Sequence, residues 1–158
     1  MADIIKAAHD IFNNGDVPVT VDARGLGMAY AIPSGSDGTV VDTYAPWHSA
    51  EQKQVFFRQS SVLGEVLAEI QLLLTWKYSE AQQYIIEAFL APNLLALDST
   101  VNVKIGVRFD NPQLYDTQLE AYEIPITVTV DCSAIGAHNT EIFRGTIRAD
   151  GNGSFDRI

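Results

Sequence analysis

The chain has 158 residues, of which 47% are hydrophobic and 19% charged, and its formal net charge is −10. This apolar fraction excludes a mainly disordered chain, and the length suffices for one domain that buries roughly two thirds of the surface of its unfolded chain. Bases do not cluster in either half of the sequence and the longest apolar-rich run, 62–76, is interrupted by acids, so neither nucleic acid nor a membrane is an expected partner.

The N-terminal third predicts one helix and a strand hairpin. Apolar residues on one helical face indicate a helix over 2–12, and alternating apolar residues indicate strands over 17–24 and 28–32. The turn at 25–27 between these strands predicts that they pair as a hairpin. A glycine- and serine-rich loop at 33–38 and a third short strand at 39–44 follow.

The central third predicts two helices. Residues 49–52 have the form of a capping box, and apolar residues recur at helical spacing from there to residue 74, with Gly64 either splitting the helix or admitting another element. A second capping box at 79–82 begins a helix that reaches residue 89 and is limited by Pro92.

The C-terminal third predicts three strands, over 101–109, 122–130 and 140–149, because apolar and polar residues alternate in each. Pro125 donates no hydrogen bond, so its strand is expected at an edge or to be bulged or unpaired there. The fold class expected from this order is α+β, a mainly antiparallel sheet of five to six strands packed against two or three helices. We expect a single domain over 1–158, with 150–158 an exposed tail.

No set of residues predicts a catalytic, cofactor or metal site. Cys132 is the single cysteine, which excludes an intrachain disulfide, and Cys132 with His138, oriented by Asp131, is the one thinkable nucleophilic pair, without any local signature. His48 and Glu51 have no third ligand at suitable spacing. Residues 150–156 resemble half of a calcium loop, but Phe155 takes the place of its glycine.

Aromatic residues near the ends of the predicted elements are the candidate interface. Tyr44, Trp47 and Tyr78 are expected to stay partly exposed and anchor a protein partner, and Pro125, as the mark of an edge strand, is the fourth interface candidate. A second copy of the chain or another protein is the expected partner. With no secretion signal and no disulfide, a cytoplasmic location or one within an assembled particle is expected.

Two functions are therefore open. The first is a non-enzymatic structural or assembly subunit of a homo-oligomeric complex, by analogy of element order with virus or phage tail and neck components. The alternative is a small-ligand-binding domain or small enzyme with a pocket between sheet and helices. Residues that would line such a pocket are Tyr30, Asp42, His48 and Tyr84.

Overall fold

A computed structural model describes residues 19–23, 29–32, 44–134 and 137–158 of the chain. These residues form strands and turns, without a helix among them. The strands are β1 Val19–Ala23, β2 Ala29–Ala31, β3 Trp47–Ser49, β4 Lys53–Ser60, β5 Val66–Ser79, β6 Ile85–Leu97, β7 Asn102–Phe109, β8 Gln113–Asp116, β9 Ala121–Ala134, β10 Ala137–Arg148 and β11 Gly153–Arg157.

The α+β prediction is wrong, because the two central helices are strands β3 to β6. In β5 the inward residues alternate and are fully or almost fully buried: Ala68, Ile70, Leu72, Leu74 and Trp76. The outward positions include Leu67 and Leu73. Leu67 follows Leu63 by four residues and Leu73 follows Ile70 by three, which are the spacings of one helical face. Because β5 has apolar residues on both of its faces, its sequence also fits a helical period.

The two predicted capping boxes are wrong as helix starts. Ser49 ends β3, and Ser79 ends β5. The Ser79 hydroxyl nevertheless accepts hydrogen bonds from the backbone N–H groups of Gln83 and Tyr84, at 3.2 and 3.1 Å. A serine thus satisfies unpaired donors in the β5–β6 turn much as it would at a helix N-terminus.

The first sheet has the strand order β1-β7-β9-β10-β11, and β8 pairs with β9 beyond the end of β7. Its pairs are antiparallel except β1 with β7, which are parallel. The predicted C-terminal strands are confirmed as β7, β9 and β10. Long alternation with polar residues on the second face made them readable from sequence.

The second sheet has the order β2-β6-β5, with β3 and β4 both pairing along the far edge of β5. All of its pairs are antiparallel. Pro92, which was predicted to limit a helix, lies inside β6. It is tolerated there because β2 pairs only with residues 85–88 of β6, and none of the described strands pairs with the side of β6 away from β5 at residue 92.

One hydrophobic core lies between the two sheets. Its large buried side chains come from the second sheet, such as Phe57 and Leu72, and from the first, such as Ile126 and Phe143. The apolar face of the C-terminal strands is thus covered by a second sheet in place of the predicted helices, which is a β-sandwich. Trp76 adds a polar contact across this core, donating its indole N–H to the Arg148 carbonyl oxygen at 2.9 Å.

Two further predictions are corrected. Strands β1 and β2 do not form a hairpin with each other, because they belong to different sheets. Residues 150–158 are not an exposed tail: β11 pairs with β10, and Phe155 is buried in the core, 6.2 Å from Phe143 between ring centroids. The predicted helix at 2–12, the loop at 33–38 and nearly all of the strand at 39–44 lie outside the described residues.

Candidate functional site

The most exposed apolar side chains of the described part lie at the tip of the β4–β5 hairpin. Val62 and Leu63 are about fully exposed, at 106% and 89%. They occupy the two central positions of the turn that joins the eight-residue β4 to the fourteen-residue β5. Turns usually place polar residues, glycine or proline at such positions, so two aliphatic residues there are unusual.

Hydrogen bonds hold this tip in a fixed shape. The Ser61 N–H donates to the Glu65 carbonyl oxygen at 2.7 Å, and the Gly64 N–H donates to the Ser61 carbonyl oxygen at 3.0 Å. The Ser61 hydroxyl also accepts from the Glu65 N–H at 3.1 Å. Gly64 has φ +87°, the left-handed conformation that glycine adopts without strain. The tip therefore presents its two side chains to solvent from an ordered turn.

A groove crosses the outer face of the first sheet. It comprises two adjoining cavities of about 320 and 460 Å³, which share Arg108 and Thr127. Gly106 contributes to its floor, because a Cβ placed there would meet no atom closer than 4.0 Å. The groove holds charges of both signs, and Arg108 pairs with Asp110 at 3.2 Å at its centre.

Asp131 lies at one end of this groove and contacts His138 on β10. It also accepts a hydrogen bond from the Thr140 hydroxyl at 2.9 Å. These two hydrogen bonds, that of Thr140 first, lower the pKa of Asp131 below its ordinary value. The side chain is exposed, so the pair is a surface contact across two strands.

Cys132 and His138 do not form the nucleophilic pair that was considered from sequence. Cys132 points into the core and is 2% exposed, whereas His138 lies on the outer face beside Asp131. Burial raises the pKa of the Cys132 thiol, with a smaller contribution from the charge of Asp131. A buried thiol with a raised pKa is a poor nucleophile, and the sheet separates it from the imidazole.

The candidate interface residues Tyr44, Trp47 and Tyr78 lie at the end of the sandwich opposite the hairpin tip. Tyr44 packs on Tyr84 with ring centroids 4.6 Å apart, and Tyr78 packs on His48 at 5.5 Å. The three candidate residues are half-buried. Burial and the hydrogen bond with Tyr44 raise the pKa of Tyr84. The structure thus brings the three aromatic residues to one region, and their role in an interface stays a prediction.

Pro125 lies far from an edge, since β9 is an inner strand with β10 on one side. On its other side β9 changes partner, from β8 at residues 121–123 to β7 at residues 126–133. Pro125 lies between these two pairings, so on this side its missing N–H breaks no hydrogen bond to β7 or β8. Its carbonyl oxygen accepts a hydrogen bond from the Asp110 N–H at 2.9 Å. The edge-strand interpretation is wrong; Pro125 has no register partner on β7 or β8, and on its other side it pairs with Thr146 of β10.

Of the residues considered for a ligand pocket, Tyr30, His48 and Tyr84 line neither of the two groove cavities. Tyr30 is on β2, His48 contacts Tyr78 and Glu80, and Tyr84 contacts Tyr44 and Tyr122. Asp42 lies outside the described residues. Within the described ranges, no three His, Cys, Asp or Glu residues are placed to hold a metal ion. Asp150, from the calcium-like segment, instead accepts the Asn152 N–H at 2.9 Å in the β10–β11 turn.

Comparison with known proteins found no match among family models, curated proteins or solved structures. In the part of the chain that the structure describes, no helix has the length and apolar character needed to cross a membrane.

Sequence reasoning missed the hairpin tip. The signal was present as two aliphatic residues directly before Gly64, between two apolar alternations, which is the pattern of a hairpin turn with a glycine. It was read as part of a helix because the flanking residues also satisfied a helical spacing.

Proposed function

We propose that the protein is a non-enzymatic assembly subunit that associates with further copies of itself in a homo-oligomeric complex. The observation that carries this proposal is the ordered hairpin tip with Val62 and Leu63 exposed. Burying one such side chain fully contributes about 1.5–3 kcal/mol, so leaving both in water forgoes a large stabilisation unless a partner covers them.

The charge of the molecule disfavours lipid and nucleic acid as the partner of this tip. A chain of net charge −10 is repelled by anionic lipid and nucleic acid, so aliphatic insertion into such a surface is disfavoured. The earlier analogy with tail and neck components depended on an α+β element order, and it loses its basis with that order.

The proposal is tested by the mass of the protein in solution. We expect the wild type to exceed its monomer mass of 17.3 kDa in light scattering, and a Val62→Ser/Leu63→Ser variant to move toward that mass. Because both side chains are exposed, the variant should keep the thermal midpoint of the dilute wild-type protein. Leu119→Ser is the matched control, since Leu119 is 58% exposed in the β8–β9 turn. A wild type that stays at 17.3 kDa at millimolar concentration contradicts the proposal.

A second candidate is ligand binding in the groove on the first sheet, which its volume supports. Some of its charged groups are already engaged: Arg108 pairs with Asp110, and Asp131 contacts His138. Lys104 and Arg144 also line the groove and form no ion pair among the described residues. A ligand that bound at Arg108 or Asp131 would have to displace these contacts, so we place self-association first.

A further inference from the structure

We propose that two copies of the chain associate edge to edge through antiparallel pairing of their β4 strands, with Phe56 of each copy opposite Phe56 of the other. This inference rests on the proposed function and specifies the surface that carries it. It unites three features of one edge: an unpaired strand, a half-exposed phenylalanine and the aliphatic hairpin tip.

One edge of strand β4 is unpaired. Within the described residues, the backbone of β4 pairs only with β5. Strand β11 of the first sheet approaches β4, but no backbone hydrogen bond joins the two in that part of the chain. An unpaired strand edge presents a row of N–H and C=O groups that a strand of another chain can satisfy.

Strand β4 lacks two of the usual protections of an edge, proline and a very short length, although it carries the charges of Lys53 and Arg58. It has eight residues without proline, and its pairing with β5 is regular from Lys53 to Gln59. Among the described residues, the stretch of β6 beyond Ala88 that β2 leaves uncovered contains Pro92, and the remaining edge strands are shorter: β1 and β11 have five residues, β8 has four, and β2 and β3 have three. Proteins blunt edges with short strands, prolines and bulges, so β4 is the edge of this molecule best suited to pairing.

The edge to which β4 belongs is longer than β4 itself. The Ala50 N–H donates to the Trp76 carbonyl oxygen at 3.0 Å, so the chain between β3 and β4 stays beside β5. Strands β3 and β4 therefore form one edge from Trp47 to Ser60. An edge of this length accommodates a whole second β4 strand.

The outward side chains of β4 favour one register between the two β4 strands. Residues directly opposite in an antiparallel pair share a face, so the half-exposed Phe56 must face another outward residue. The symmetric register with Phe56 opposite itself forms an aromatic pair and places Gln54 opposite Arg58. It opposes no two like charges. The Gln54 Oε1 atom already accepts a hydrogen bond from Gln71 Nε2 at 2.7 Å, and its second lone pair is the one that Arg58 of the other copy would meet.

The register also determines where the hairpin tip of each copy lies. In this register Ser60 of one copy lies opposite Gln52 of the second copy, so Val62 and Leu63 reach the level of its residues 49–50. The tip then lies close to β3, which contains Trp47. The pairing thus covers the exposed aliphatic residues and brings them toward one of the aromatic residues predicted for the interface.

The resulting assembly is a closed dimer with a continuous sheet. Its strand order is β2-β6-β5-β4 followed by the same strands of the second copy in reverse. Both copies use the same surface for the contact, so two subunits leave no copy of that surface exposed. The contact therefore closes as a dimer and does not propagate into a fibre.

Cysteine cross-linking tests the register. Directly opposite residues have Cβ atoms about 4.5–5.5 Å apart, close to the distance that a disulfide requires. We expect Phe56→Cys to form a covalent dimer on mild oxidation, and a mixture of Gln54→Cys with Arg58→Cys to form one more readily than either variant alone. Wild type and Leu119→Cys are the controls, because native Cys132 is buried and Leu119 is exposed in the β8–β9 turn, away from β4.

Charge substitution at the symmetric position is the second test. Phe56→Lys and Phe56→Glu should each raise the dimer dissociation constant by on the order of tenfold or more, because residue 56 of one copy then faces a like charge at residue 56 of the other. An equimolar mixture of the two variants should recover association, since opposite charges then meet. This recovery is specific to a residue that faces itself and does not depend on a change in folding.

The outcomes separate the two proposals. A wild-type protein that is monomeric at all concentrations overturns both. If the wild type associates and the tip variant weakens it, but Phe56→Cys does not cross-link and the mixed charge variants do not recover, edge pairing is overturned and the assembly function stands.

Discussion

Two glycines on the first sheet illustrate how one methyl group can be either excluded or accepted. At Gly145 on β10, an added Cβ would lie 2.2 Å from the Ser154 carbonyl oxygen and 3.1 Å from the Phe155 Cα atom. Both are backbone atoms of β11, so neither can rotate away. At Gly106 on β7, the nearest atom lies at 4.0 Å. The close approach of β11 to β10 thus requires glycine at residue 145.

We expect Gly145→Ala to lower the free energy of unfolding by about 1–3 kcal/mol, because β11 must shift to admit the methyl group. Gly106→Ala should instead raise it by about 0.5 kcal/mol, since alanine restricts the unfolded chain and meets no obstruction. Urea denaturation of both variants, monitored by tryptophan fluorescence, gives the comparison. Equal stability of the two variants would contradict the close β10–β11 contact.

Individual residues were more predictable than the elements that contain them. The Ser79 hydroxyl was recognised as a cap, and it does bind unpaired backbone N–H groups, but in a turn between strands. Pro125 was recognised as a position that is unpaired on one side of its strand. That side lies between the β8 and β7 pairings, but on an inner strand whose other side pairs Pro125 with Thr146 of β10. Local chemistry is set by the residue itself, whereas the element depends on what packs against it.

Strand β4 alternates between a buried and an exposed phenylalanine. Phe57 is fully buried in the core, and its neighbour Phe56 is 50% exposed on the opposite face. The helical spacing of the apolar residues after residue 49 predicts both in one helix, in which consecutive residues lie only about 100° apart. Their opposite environments are therefore a property of the strand.

Substitution of these two residues tests the element directly. Phe57→Ala should lower the free energy of unfolding by about 3–5 kcal/mol, because it leaves a cavity between the sheets. Phe56→Ala should change it by no more than about 0.5 kcal/mol in dilute monomer. Thermal and urea unfolding at micromolar concentration provide the measurement. Similar losses for both variants would indicate that both side chains lie in the core.

Strands with a polar outer face were predicted correctly from the sequence, and a strand with apolar residues on its outer face was not. Strands β7, β9 and β10 carry threonine, lysine and arginine between their buried residues, so alternation was unambiguous. Strand β5 carries Leu67 and Leu73 on its outer face, and this second set of apolar residues obscured the period of two. A short apolar run cannot be separated from a buried helix by periodicity alone.

At the scale of the whole molecule, the net charge of −10 opposes the proposed association, because two acidic copies repel each other. The proposed contact itself consists of backbone hydrogen bonds, aromatic residues and the aliphatic tip. Salt screens the repulsion and leaves these contacts intact.

We therefore expect the dimer dissociation constant to fall as salt rises from about 10 mM to about 1 M, over which the Debye length shortens from about 30 Å to about 3 Å. Analytical ultracentrifugation across this range measures the effect. A dissociation constant that rises with salt would mean that ion pairs hold the copies together, contrary to the β4 contact.

The sequence alone determined the acidic character of the chain, the absence of an intrachain disulfide and the three C-terminal strands, because each depends on composition or on local alternation. Only the tertiary structure decided that a second sheet covers those strands, that Cys132 and His138 lie on opposite faces, and that Val62 and Leu63 are exposed at a hairpin tip. These features depend on which distant segments pair. Pairing over such separations is selected by the fit of whole faces across the core, which no short stretch of sequence contains.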